Sequence, residues 1–363
     1  EAAKSGKAFY ADTDLSDGAV LSFGEGTTHT AVSINGSAIT DANLGSASYA
    51  SIEVIPAVVT DAPADVAVIV TMTNGTVYNA LVTPTISAGS GTITYDAENG
   101  VLILRKATGV KSIEIIGDMT VKVLGQNTIV SGSSKAIFAQ NGTLTFIGDG
   151  RLTLTTTGNV ALYSRAQTHD ATIRIAQNVK MVIQSTGMGI QLEAVNSDRS
   201  VCYELLDVAS VRVTSTGVPL YLKGAQYSKK NTLIMTSSGT ATFERTSKYA
   251  VVFLEKAEET TVVIKNGIYN VKTAVAGLDA NAAFRVEGCA ADGMGSQIDF
   301  TVEDAVVNVS AAYAPASETS NNVDLRALSL VGSSGSTMKI LGDSVVSVTA
   351  TSSKDSLAVY GVY

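Results

Sequence analysis

From residue 92 onward the chain sets down short runs in which apolar and polar side chains alternate, and the runs return at a spacing near thirty residues. Examples are "SIEIIGDMTVKV" (112–123), "TLTFIGDGRLTL" (143–154), "TIRIAQNVKMVI" (172–183) and "TMKILGDSVVSV" (337–348). Take the first inward residue of each unit as its anchor. Apolar residues then recur two, eight and ten positions on: Ile113, Ile115, Val121, Val123; Leu144, Phe146, Leu152, Leu154; Ile173, Ile175, Met181, Ile183. Looser copies begin at Ile93, Tyr203, Leu233 and Met338, and two more, at Val262 and Ile298, fit with a one-residue shift. The successive anchors lie 20, 31, 29, 30, 30, 29, 36 and 40 residues apart.

A period of two means side chains on opposite faces of strands and excludes helical solenoids. A third apolar segment follows in most units, as "AIFA" at 136, "ALYS" at 161, "GIQL" at 189, "PLYL" at 219, "AVVF" at 250 and "LAVY" at 357. Three short strands in about thirty residues are too few for a propeller blade, which needs about four in 40 to 50. They suit a coil in which each strand pairs in parallel with its counterpart one turn away, stacking equivalent positions about 4.8 Å apart. The expectation is an all-β, single-stranded parallel β-helix of about nine coils, three strands per coil, over residues 91–363.

Residues 1–90 break the repeat and read as a small β-sandwich-like domain or cap, with strands at "AVLSF", "AVSIN", "SIEVI", "VAVIVTM" and "TVYNALV" and Asn74-Gly75 as a type I′ hairpin signal. A coil stack leaves an apolar cross-section and unpaired strand edges at each end. The N-terminal part covers one. At the other, "VYGVY" stays apolar almost to the last residue, so either a loop covers it or two molecules meet there as an end-to-end homodimer. The insertions at 277–297 and 311–337, rich in Gly, Ser and Asn, are candidates for cover or for a binding rim.

Composition narrows the partners. Apolar residues are 45% and charged residues 16% of the 363, Trp is absent, and the net charge is −8. That balance disfavours nucleic acid and anionic membrane surfaces, which call for a cationic face. No apolar run reaches the ~18 residues of a transmembrane segment. Cys202 and Cys289 are too few for a disulfide framework, lack zinc-site spacing, and on the expected register sit about three coils, roughly 14 Å, apart. Two free thiols are expected.

With Ile, Leu, Val and Phe inside and Gly-Asp or Asn at the first corner, residues 92–363 resemble the right-handed parallel β-helices of the pectin-lyase-like superfold. The stretch "NGTLTFIGDGRLTLTTTGN" (141–159) is similar to the repeats of bacterial surface proteins with carbohydrate-binding β-helices. The resemblance implies a right-handed helix. It leaves function open, since such relatives include polysaccharide lyases, glycoside hydrolases, glycan binders and adhesins.

Five positions after each anchor the corner column reads Glu98, Asp118, Asp149, Asn178, Val208, Ser238, Gly267, Glu303 and Asp343. Stacked carboxylates repel unless a cation relieves them, so Glu98, Asp118 and Asp149 are candidate calcium ligands, and through calcium candidate contacts for uronate groups. Asp and Asn are also ordinary corner formers, which need no metal. Arg151 and Lys180 share the column two residues further on. In lyases of the superfold an Arg or Lys abstracts a proton beside a calcium-bound carboxylate, so the resemblance makes these two the catalytic candidates; the plain alternative is a solvated charge cluster. Hydrolase relatives use paired Asp with a His, and the only His in the repeat region is His169.

Aromatic rings offer a second route to sugars. Tyr221, between inward Leu220 and Leu222, should project outward beside Gln191 and Val251 of neighbouring coils, while Tyr227, Tyr249 and Tyr313 sit near turns. Tyr221, Gln191 and Tyr227 are therefore the carbohydrate-binding candidates. The reading that results is a bacterial protein, secreted or anchored at the cell surface, that binds a polysaccharide or cell-surface glycan without established catalysis. Its alternatives are a calcium-assisted lyase of acidic polysaccharide and a structural or adhesin-like spacer.

Overall fold

The computed structural model describes residues 29–34, 37–38, 52–56, 67–246, 250–273, 282–289, 296–313, 325–333, 335–352 and 359–362. The expected strand at 19–23 and Tyr249 lie outside them. Every regular element among the described residues is a β-strand. The chain divides into two compact units, Glu1–Pro63 and Ala64–Tyr363.

In the smaller unit three strands form an antiparallel sheet in the order Ser37–Ala38, His29–Ile34, Ile52–Pro56. The larger unit is one long, mostly parallel sheet of 28 strands. Its strands fall into three ladders, and chain order visits the ladders in turn, a pattern compatible with a β-helix.

The first ladder runs Val101–Arg105, Met119–Leu124, Gly142–Gly148, Ala171–Ile175, Ser200–Leu205, the C-terminal parts of Leu220–Met235 and Val252–Lys265, Gln297–Glu303 and Thr337–Leu341. The second runs Gln126–Ser131, Arg151–Thr156, Lys180–Ser185, Ser210–Ser215, Thr240–Arg245, Ile268–Thr273, Val306–Tyr313 and Val345–Ser352. Val110–Ile116, Ile137–Gln140, Leu162–Ala166, Ile190–Ala194, the N-terminal parts of Leu220–Met235 and Val252–Lys265, Ala282–Gly288, Leu325–Val331 and Val359–Val362 make the third.

Alternation decides what each ladder buries. Met119, Leu144, Ile173, Tyr203, Leu233, Val262 and Phe300 stand in register along the first ladder, each at most 4% exposed. Removing such side chains from water is worth about 25 cal/mol per Å² of apolar surface, and the parallel register repeats the gain at every level.

The register corrects the sequence alignment at both ends. Met119, not Ile113, lies under Leu144, because Val110–Ile116 belongs to the third ladder and pairs through Ile113 with Ile137. Thus "SIEIIGDMTVKV" turns from third ladder to first, about Gly117 (φ +82°), whereas "TLTFIGDGRLTL" turns from first to second, about Gly148 (φ +115°). Both segments alternate correctly and carry the same Gly-Asp corner, so the pattern could not tell the two corners apart. At the other end Phe300, rather than Ile298, is in register with Val262.

The unit expected at Ile93 is an antiparallel hairpin of Gly91–Asp96 with Val101–Arg105. It covers the free edge of the first ladder, while Ala67–Met72 pairs antiparallel with Val110–Ile116 and covers that of the third. Ala67–Met72 and Val77–Asn79 form the hairpin expected at Asn74-Gly75, but its loop is the three residues Thr73, Asn74 and Gly75, closed by Met72 N donating to Thr76 O and with only Gly75 at positive φ, so the turn is not type I′. The presumed insertions contain third-ladder strands Ala282–Gly288 and Leu325–Val331, with Phe284, Val286 and Leu328 buried. At the last level Met338 and Ile340, in register with buried Phe300 and Val302, are 38% and 51% exposed.

Candidate functional site

The outward residues of the third ladder form two adjacent columns. Strands that bury Ile137, Leu162, Ile190, Leu220 and Val252 must turn Phe138, Tyr163, Gln191, Tyr221 and Phe253 outward. Two residues on, by the same parity, come Gln140, Arg165, Glu193, Lys223, Glu255 and, from the next strand, Glu287.

The first column is an aromatic stack interrupted by Gln191. Phe138 and Tyr163 lie 5.4 Å apart between centroids at 14°, and Tyr221 and Phe253 lie 5.3 Å apart at 2°. Cations lie against the rings: Lys135 Nζ sits 4.2 Å from the Phe138 centroid and 4.6 Å from that of Tyr163, touching both, and Arg285 Cζ sits 5.0 Å from that of Phe253. Tyr221 is thus beside Gln191 as expected, but its other neighbour is Phe253 and not Val251, which is buried. With Phe253 on one face and the buried Gln191 in register on the other, Tyr221 offers a sugar its edge rather than a free face.

The second column locks the rings in place. Tyr163 donates its hydroxyl to Glu193, and Tyr221 donates to Glu255. Lys223 Nζ donates to Glu193 at 2.7 Å, and Arg285 pairs with Glu287 at 2.7 Å. Burial opposes ionisation of Glu193, but the hydrogen bonds from Lys223 and Tyr163, with the charges of Lys223 and Arg165, outweigh it and hold the carboxyl below its usual range. Burial first, and then the carboxylate partner, pushes both phenols well above their usual value.

Beside these columns the chain bulges outward at residues 224–227, where the pairing register shifts between Lys223 and Ser228. The bulge walls a cavity of about 670 Å³ reached by Arg165, Glu193, Lys223, Glu255, Glu287 and Gln226. Tyr227 sits in the bulge at φ +61°, half-buried, its N–H donating to Cys289 Sγ at 3.3 Å. Both cysteines are free; Cys202 is half-buried between Thr172 and Thr232, and burial pushes its thiol up to about 12.

Of the other candidates, Arg151 and Lys180 are brought together, in register on the outer side of the second ladder. Glu98, Asp118 and Asp149 are not. Glu98 is in the turn of the antiparallel hairpin, Asp118 is at the third-to-first corner accepting from Thr143 N at 2.6 Å, and Asp149 is at the first-to-second corner. Among the described residues no three His, Cys, Asp or Glu side chains gather as a metal site. The corner acids bind backbone instead: Asp207 accepts from Gln177 N at 2.8 Å and Asp304 from Asp343 N at 2.9 Å, and Gln177, Asp207 and Asp304 all have positive φ.

Sequence reasoning placed Tyr221 and Gln191 side by side on the outer face but did not single out Phe138, Tyr163, Phe253 or the charged column. The signal was present in "AIFAQ", "ALYSR", "GIQLE", "PLYLK" and "VVFLE", whose third and fifth residues are these side chains. No protein-family model, curated protein or solved structure matches the chain.

Proposed function

We propose that the chain is a carbohydrate-binding protein built on a right-handed parallel β-helix of about nine coils, secreted or displayed at a bacterial surface, and that it takes a glycan in the groove along the third ladder. The observation that carries this reading is the cavity of about 670 Å³, at which Arg165, Glu193, Lys223, Glu255 and Glu287 converge beside a column of aromatic side chains. Its volume is within the 300 to 1,000 Å³ usual for small-ligand sites. Sugar hydroxyls both donate and accept, which suits alternating carboxylates and cations, while sugar C–H faces suit the edges of the neighbouring rings.

Glycan-array screening followed by calorimetry tests this. The wild type should retain at least one glycan class, and Arg165→Ala or Glu287→Ala should weaken it roughly tenfold, as expected for loss of a charged hydrogen-bonding group. Failure of the wild type to retain any glycan would remove the reading.

A further inference from the structure

The outer faces of the ladders obey a pairing rule that is broken without compensation at one place. Arg174 is in register with Glu204 and bridges it at 2.5 Å; Lys265 and Glu303 do the same at 2.5 Å, Lys223 and Glu193 at 2.7 Å, Lys272 and Glu244 at 3.2 Å, and Lys230 and Glu259 at 3.6 Å. Among the described residues two in-register pairs carry like charge. Glu255 faces Glu287, but Lys256 lies 3.7 Å from the first and Arg285 bridges the second. Arg151 faces Lys180, both are exposed, and no ion pair among the described residues reaches either.

A third cation joins them. Val182 is in register with Arg212, which places Arg212 one level above Lys180 and two residues along the strand, exposed and likewise outside every ion pair among the described residues. Arg151 and Arg212 line two adjoining depressions of about 390 and 280 Å³; Lys180, Ser210 and Thr240 border the smaller, and Gln184, Thr214 and Glu244 the larger. Glu244 is already engaged by Lys272. Like charges directly opposite on neighbouring strands are destabilising, and a local rule broken without relief is expected at functional or strained sites.

We propose that the outer side of the second ladder around Arg151, Lys180 and Arg212 is a binding site for an oxyanion-bearing glycan chain, carrying sulfate esters or carboxylates, separate from the groove on the third ladder. Two guanidinium forks supply paired N–H donors for oxyanions, Lys180 supplies a point charge, and Ser210 and Thr240 supply hydroxyls. Spacings of one strand to about two residues along a strand, roughly 5 to 8 Å, demand a ligand with more than one anionic group. The overall charge of −8 does not oppose this, because at physiological salt charges act over only about 8 Å.

Three polymers on one backbone test it: dextran, carboxymethyl dextran and dextran sulfate, measured by affinity electrophoresis and calorimetry at about 0.15 M salt. The wild type should bind at least one anionic polymer and not dextran at this face. Binding of dextran sulfate alone assigns sulfate esters as the ligand, and binding of both assigns the charge common to them. Arg151→Ala and Arg212→Ala should each weaken that binding roughly tenfold, while Lys339→Ala, an equal change of charge on the first ladder, should alter it less than about twofold. Lys180→Glu should raise the melting temperature at low salt, by creating with Arg151 the pairing used elsewhere, and should abolish anionic binding. Loss of affinity in Lys339→Ala equal to that in Arg151→Ala, or no anionic binding by the wild type, would overturn the proposal. Arg165→Ala in the groove should leave this binding intact, so the two sites stand or fall separately.

Discussion

Lys223 and Tyr163 reach Glu193 from opposite sides, Lys223 from the next strand of the third ladder at 2.7 Å and Tyr163 from the preceding one. A carboxylate held by two donors on separate strands ties three levels of the ladder together, and it does so most strongly when ionised, because both bonds are then charge-assisted.

That dependence gives an acid-side prediction. The Glu193 carboxyl is held below its ordinary value of 4.5, so its contribution is present above that value and is lost as pH falls through the lower folded one. Glu193→Gln should therefore flatten the fall of the urea midpoint below about pH 4. Identical acid limbs in variant and wild type would show that the carboxylate is not linked to folding.

On the alkaline side the sign reverses. Tyr163 and Tyr221 are raised above 10.0, by burial first and then by Glu193 and Glu255. Their contribution is complete below pH 10 and declines as pH rises toward the folded values. Tyrosinate absorbance should show at least four phenols that resist titration until the protein unfolds, these two and the buried Tyr203 and Tyr269, and Tyr221→Phe should lower their number by one.

Phe146 is fully buried, in register with Val121 on one side and Ile175 on the other. Phe146→Ala should cost about 3 to 5 kcal/mol through lost burial and the cavity left behind. A denaturant midpoint close to wild type would contradict the inward placement of this row.

Gly224 opens the bulge beside the groove. A Cβ there would come within 2.6 Å of Lys256 O and 2.8 Å of Glu255 O, backbone atoms that cannot swing aside. Gly224→Ala should cost about 1 to 3 kcal/mol and weaken glycan binding in the groove while sparing the Arg151 face. Equal loss at both sites would point to general unfolding rather than local displacement.

Much of the architecture could be read from alternation alone. Leu144, Phe146, Ile173, Ile175, Leu152 and Leu154 are inward as expected, because a period of two leaves only two faces and just one of them is apolar. The parallel stacking of residues 144, 173, 203 and 233 also followed from their spacing of 29 or 30 residues. What failed were the two ends, at Ile93 and Ile298 and, most tellingly, at the level before Leu144. Ile113 and Met119 are both inward and both border a Gly-Asp corner, so parity could not choose between them.

That choice decides the chemistry. Asp118 and Asp149 occupy equivalent places in two similar segments, yet one stands at the third-to-first corner and the other at the first-to-second, so the supposed carboxylate column does not exist. Arg151 and Lys180 begin strands exactly one level apart in the region where the spacing is regular, and their column survives.

The sequence by itself determined which side chains face in, which face out, and that strands pair with partners about thirty residues away, because these follow from the pleat and from the need to bury apolar rows. Only the tertiary structure decided which corner each turn occupies, and hence which outward side chains become neighbours. Neighbours across a ladder are about 4.8 Å apart in space but a whole period apart in sequence, so a slip of a single strand preserves every local preference while exchanging every partner.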